Sequence, residues 1–137
     1  MSEKQFKLGT NYPNEGFVQS ALQGHFEGLG FKQGKLGHID YVGVHPVSGE
    51  RWVIEAKGET SDVGLDFRTG LGQIVQSMAN APATFGLAVP HTQKFLNQCS
   101  KVAPWVREAL QLHWLLVDAA GGITVVAPRE PLPGLGA

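Results

Sequence analysis

A lone cysteine, Cys99, excludes an internal disulfide framework and fits a reducing, cytoplasmic setting. An excess of one charge is also missing: 11 basic against 12 acidic residues leave a net charge of −1. A chain held to nucleic acid by bulk charge is normally more basic, so such contact has to come from a local patch or a metal site. No run approaches the roughly 18 uninterrupted apolar residues of a membrane span, so no membrane association is expected. The opening MSEKQFKLGT has no apolar core and is not expected to be a signal peptide. Five histidines form no H-x-x-x-H or H-x-H pair, which gives zinc little support.

What is present is an ordinary globular balance, 42% apolar and 17% charged over 137 residues. That length suits one domain with a real core, expected over residues 1–127. The last ten residues, PREPLPGLGA, are too rich in proline and glycine to pack and are expected to be extended or disordered. Residues 1–13 read as a loose arm ending in a turn at Asn11-Tyr12-Pro13. Asn14 then caps a helix running to about Gly28, with Phe17, Ala21, Leu22, Phe26 and Leu29 as its buried stripe. A short segment, Lys32 to Lys35, follows. A second helix is expected from Asp66 to Asn80, with Leu71, Ile74, Val75 and Met78 on one face. Gly70 and Gly72 inside it call for close packing or close approach of a ligand. Thr84–Val89, Leu112–Val117 and Ile123–Ala127 read as strands, and a helical region from Thr92 to Leu110 should break at Pro104. The fold class is therefore α/β or α+β, a mixed central sheet flanked by helices.

The most informative stretch is HIDYVGVHPVSGERWVIEAK, His38 to Lys57, which reads as a β-hairpin turning through Pro46-Val47-Ser48-Gly49. The turn sets a register in which Tyr41 faces Ile54, Ile39 faces Ala56 and His38 faces Lys57. It also places Asp40 opposite Glu55, two carboxylates about 5 Å apart at Cβ, which repel unless a cation lies between them. Lys57 shares the face of Glu55 because side chains alternate along a strand. Trp52, on the other face, is expected in the core. The bland alternative is a surface ion-pair cluster.

Asp40, then fourteen residues, then Glu55-Ala56-Lys57, resembles the signature of the PD-(D/E)XK nuclease superfamily, and the helix–hairpin–helix order matches over residues 14–90. The proline of that signature is replaced by Ile39, a variable position. The resemblance implies a restriction-endonuclease-like core and a Mg²⁺ ion, with Mn²⁺ able to substitute, held by Asp40, Glu55 and the Ala56 carbonyl. Glu15 in the first helix resembles an additional metal-site acid of many members. Gln73 resembles the glutamine of the Q-x-x-x-Y motif of some branches, although Ser77 stands where the tyrosine would be.

The residue types suit phosphodiester hydrolysis. Carboxylates are hard oxygen ligands for Mg²⁺, which retains several waters. A lysine among carboxylates is held in its charged form, so Lys57 is expected to stabilise the attacking water or the phosphate, with base action second. Arg68, His38 and Lys35 are candidate phosphate contacts, and Lys4, Lys7 and Lys32 could add to a modest patch. Glu59, Asp62 and Asp66 read as loop and cap residues, and neither Ser61 nor Cys99 has the partner a nucleophile needs. The expected function is a Mg²⁺-dependent DNA nuclease, endo- or exonucleolytic, serving repair, recombination or defence as a homodimer or beside a partner protein. The alternatives are a catalytically silent nuclease-like module that binds nucleic acid or a protein, and a nuclease acting on RNA.

Overall fold

The two most apolar runs of the chain lie side by side at the centre of one sheet, where strands buried on both faces carry near-continuous hydrophobic sequence. The computed structural model describes residues 9–80 and 82–135. Its elements in chain order are α1 (Glu15–Gly28), β1 (Lys32–Gln33), β2 (Tyr41–Val44), β3 (Arg51–Ala56) and α2 (Val63–Ser77) with a 3₁₀ turn over Met78–Asn80. They continue with β4 (Thr84–Pro90), α3 (Gln93–Ser100), α4 (Pro104–Leu110), β5 (Leu112–Val117) and β6 (Ile123–Val126). The six strands form one mixed sheet in sequence order. β3, β4 and β5 run parallel, while β1–β2, β2–β3 and β5–β6 are antiparallel.

Helices cover both faces. Val18, Leu22 and Phe26 of α1 pack on Tyr41, Ile54, Ala88 and Leu115. On the opposite face Phe67 and Ile74 of α2 and Phe95, Leu96 and Cys99 of α3 pack on Val53, Leu87, Trp114 and Leu116. Cys99 is buried, and loss of solvent pushes its thiol up to about 12, so it is inert packing. Trp52 packs partly buried on the α1 face, as its position in the alternation requires.

Several boundaries move for identifiable reasons. The α1 stripe is Val18, Leu22 and Phe26, whereas Leu29 is exposed past the helix end. Helix α2 begins three residues before Asp66, because the Asp62 carboxylate accepts from Leu65 N at 3.0 Å and so caps it earlier. Asp66 instead ties back to Thr60. On α2 the buried positions are Phe67, Gly70, Ile74 and Ser77, and Val75 is exposed. The break at Pro104 is present, with that proline in the first turn of α4. Lys32 and Gln33 form a two-residue edge strand that periodicity could not reveal.

The expectation that the tail cannot pack is corrected over residues 128–132. Arg107, buried on α4, stacks its guanidinium 5.0 Å from the Trp114 ring centroid. It donates to the carbonyls of Val126, Ala127 and Glu130 at 3.1, 2.8 and 3.3 Å. Leu132 then packs against the core. Gly136 and Ala137 lie outside the described residues, as do Lys4, Lys7 and most of the N-terminal arm.

Burial holds the His113 and His25 imidazoles below the usual 6.5, because charging either would place a cation in a poorly solvated position. The unfolded chain therefore binds more protons than the folded one as pH falls through 6.5, and stability drops with acidification. Urea unfolding midpoints are expected to fall from about pH 7.5 to about pH 5.5, with a shallower fall in His113→Phe. Midpoints that do not move in the wild type over this range contradict the assignment.

Candidate functional site

The site lies where β2 begins and β3 ends, since these antiparallel neighbours bring Asp40 and the Glu55-Ala56-Lys57 segment to one end of the sheet. The hairpin register is the expected one, Tyr41 opposite Ile54 and Val44 opposite Arg51. The turn closes through His45 N to Glu50 O at 2.8 Å and Gly49 N to His45 O at 2.9 Å, with Gly49 at φ +76°.

The strand stops at Tyr41, however, and this corrects three expected pairs. Ile39 is not laddered to Ala56, Asp40 is not laddered to Glu55, and His38 sits exposed in a turn instead of facing Lys57. The reason is local. Lys57 N donates to Ala88 O of β4 at 2.9 Å, so the preceding N–H, that of Ala56, points to the β2 side. No β2 carbonyl continues there. The Asp40 carboxylate takes its place, with Oδ2 accepting from Ala56 N at 3.0 Å.

The other Asp40 oxygen binds a residue that sequence reasoning missed. Gln19 Nε2 donates to Asp40 Oδ1 at 3.1 Å and lies 3.4 Å from Glu15 Oε2. Glu15 and Gln19 are one helical turn apart, so i, i+4 spacing was the available signal, but only the fold shows that they meet Asp40. Glu15 Oε1 lies 3.9 Å from Lys57 Nζ, and both side chains are largely buried. Glu15, Gln19, Asp40, Ala56 and Lys57 thus form one connected group.

Two glycines permit it. A Cβ on Gly58 would overlap the backbone of Asn14 and Glu15, so only glycine lets the start of α1 close on the exit of β3. Glu59 N donates to Pro13 O at 2.9 Å and secures that approach. On the other side, a Cβ on Gly70 would lie 2.7 Å from Lys57 Cγ and 2.9 Å from Leu87 Cδ1. Gly70 is therefore the groove through which the Lys57 stem runs. Gly72 meets nothing within 4 Å.

Glu55 is 3% exposed and forms part of the wall of a cavity of about 490 Å³ between α2 and the 36–39 loop. Gln73 and His38 also line it. Arg68 and Lys35 do not. Arg68 is exposed and turns its guanidinium toward Gly64 in its own helix, and Lys35 is exposed after β1. Glu59 pairs with Lys94 at 3.3 Å.

Among the described residues, no three His, Cys, Asp or Glu side chains converge as a metal cage, so Glu15, Asp40 and Glu55 do not form a three-carboxylate cluster. The set is still compatible with Mg²⁺, which binds through one or two carboxylates and keeps waters.

The two α2 glycines give opposite expectations. Gly72→Ala should stabilise the fold by about 0.5–1 kcal/mol, the gain from replacing glycine in a helix interior. Gly70→Ala should destabilise it, because Lys57 and Leu87 have to move. Denaturant midpoints of both variants decide this, and equal shifts would show that Lys57 is not seated against Gly70.

No protein-family model and no curated protein sequence matches this chain.

Proposed function

We propose that this chain is a Mg²⁺-dependent nuclease of the PD-(D/E)XK type that hydrolyses DNA phosphodiester bonds. The observation that carries the reading is the carboxylate of Asp40 fixed on the Ala56 N–H at the end of the sheet that also carries Glu55 and Lys57. A surface ion-pair cluster accounts poorly for an acid 3% exposed in a cavity wall and a lysine stem in a glycine groove.

Asp40, Glu55 and the Ala56 carbonyl would hold the ion. Bound Mg²⁺ supplies Lewis-acid polarisation of the phosphoryl oxygen and a more acidic water. The protein does the positioning. Lys57, a cation on a stem confined by Gly70, offsets charge gathering on the phosphoryl oxygens as water oxygen bonds to phosphorus and the bond to the departing oxygen breaks. Glu15 and Gln19 keep Lys57 and Asp40 in place. The amide of Gln73 donates to the phosphate or accepts from the water. Electrostatic stabilisation of this kind works through preorganised groups.

A chain of this size and near-zero net charge has little surface for gripping a duplex alone, which supports work as a homodimer or with a partner protein. Its single buried thiol suits the cytoplasm. The second reading, a silent module that binds nucleic acid or protein, is favoured by one observation: both Asp40 oxygens already accept protein hydrogen bonds.

Incubation with plasmid, single-stranded and branched DNA in Mg²⁺ or Mn²⁺ separates the two. Metal-dependent cleavage is expected, with Glu55→Gln and Lys57→Ala each slower by about 100-fold or more, the usual loss on removing one preorganised electrostatic group. Binding without cutting by the wild type supports the module. Variants that cut like the wild type refute the site assignment.

A further inference from the structure

The cavity beside Glu55 is larger than a metal ion and its waters need, and its lining carries no lysine or arginine. One wall is apolar, Leu36 and Ile39 from the loop between β1 and β2, where Ile39 N donates to Leu36 O at 3.0 Å and fixes the bend. Gln73, Gln76 and Ser77 of α2, with Glu55 and His38, line the rest of this cavity of about 490 Å³. Arg68 and Lys35, the exposed cations nearest in sequence to these walls, lie outside it.

Apolar side chains and side-chain amides in one cavity suit a nucleobase. Its face is apolar and polarisable, and its edge presents donors and acceptors that a glutamine amide can match with its own donor and acceptor. The volume admits a nucleobase, and ligand cavities of roughly 300–1,000 Å³ lined in this mixed way are typical of small-molecule sites. Glu55 ties the cavity to the chemistry, because it is both a wall residue and one of the acids proposed to hold the metal. A phosphate on an ion held at Glu55 would therefore have its attached base beside the cavity.

Resting on the nuclease reading, we infer that this cavity receives the unpaired base of the nucleotide at the cut site, so that the substrate is DNA with a single-stranded or unpaired nucleotide. A base stacked and paired in a duplex cannot enter without being extruded, which costs unstacking energy. Gln76, which the sequence gave no reason to single out, becomes a specificity residue alongside the apolar Leu36.

Two measurements on the full chain test this. In the first, cleavage with Mg²⁺ is compared on oligonucleotides identical except that the same nucleotide is paired or unpaired. In the second, anisotropy with Ca²⁺ in place of Mg²⁺ reports binding of a short labelled oligothymidine against a blunt duplex of equal length. The unpaired substrate should be preferred by about 10-fold or more in both, because a paired base has first to be unstacked and unpaired. Gln76→Ala and the cavity-filling Leu36→Trp should erase that preference while duplex binding stays unchanged. A circular-dichroism melt confirms that each variant is folded. Equal cutting of paired and unpaired substrates overturns the base pocket and leaves the nuclease reading standing. Preferential binding of oligothymidine, lost in Gln76→Ala but with no cutting of any substrate, supports the pocket and defeats the nuclease. No preference in binding, or a preference unmoved by both variants, overturns the pocket.

Discussion

The hydrogen bond from Ala56 N to the Asp40 carboxylate is the contact on which the site depends. It forms because β2 begins at Tyr41, two residues past the Ile39 carbonyl that would satisfy the Ala56 N–H, and a buried unpaired amide is costly. A charged acceptor at that point closes the sheet end and fixes the carboxylate at once. Everything proposed about chemistry follows from this double role. Asp40 is placed by the sheet's own hydrogen-bond accounting, and Gln19 fixes its remaining freedom from α1. Fold and site are therefore coupled, and an acid here is held whether or not a metal is bound.

Around that contact the two helical layers meet over the end of the sheet. Glycine is required where they close, at Gly58 beneath α1 and at Gly70 on the sheet-facing side of α2. Lys57 threads between them, its stem on the α2 side and its ammonium near Glu15 of α1. This arrangement confines a long, flexible side chain that would otherwise lose considerable rotamer entropy on binding a phosphate. It also explains why the helix carrying Gln73 tolerates a poor helix former at Gly70.

Much of the fold was legible because period and punctuation agreed. The HPVSGE turn fixed the register of β2 against β3, Asn14 marked a helix start and Pro104 a helix break. Two kinds of feature were not legible. A two-residue strand at Lys32 and a strand end at Tyr41 carry no periodicity, so the alternation extends the ladder to an Asp40–Glu55 pair, whereas the Asp40 side chain bonds the Ala56 backbone instead. Long-range polar partners were hidden too. Gln19 meets Asp40 across 21 positions, and Arg107 anchors carbonyls 19 to 23 positions away. Helical spacing places such side chains on a face without saying what that face meets. Asp40, Glu55, Lys57, Glu15 and Gln73 were all singled out from the sequence. The remaining cavity walls were not, since Leu36, Ile39 and Gln76 become neighbours of Glu55 and Gln73 only when the loop before β2 folds against α2.

The central claim, that this sheet end is built to hold a divalent cation for phosphodiester chemistry, is tested most directly by a crystal structure grown with Mn²⁺ and read by anomalous scattering. The account predicts one ordered Mn²⁺ with Asp40 and Glu55 both among its ligands and water completing the shell. An ordered Mn²⁺ bound elsewhere, or none while Asp40 remains on Ala56 and Gln19 at saturating Mn²⁺, would contradict it.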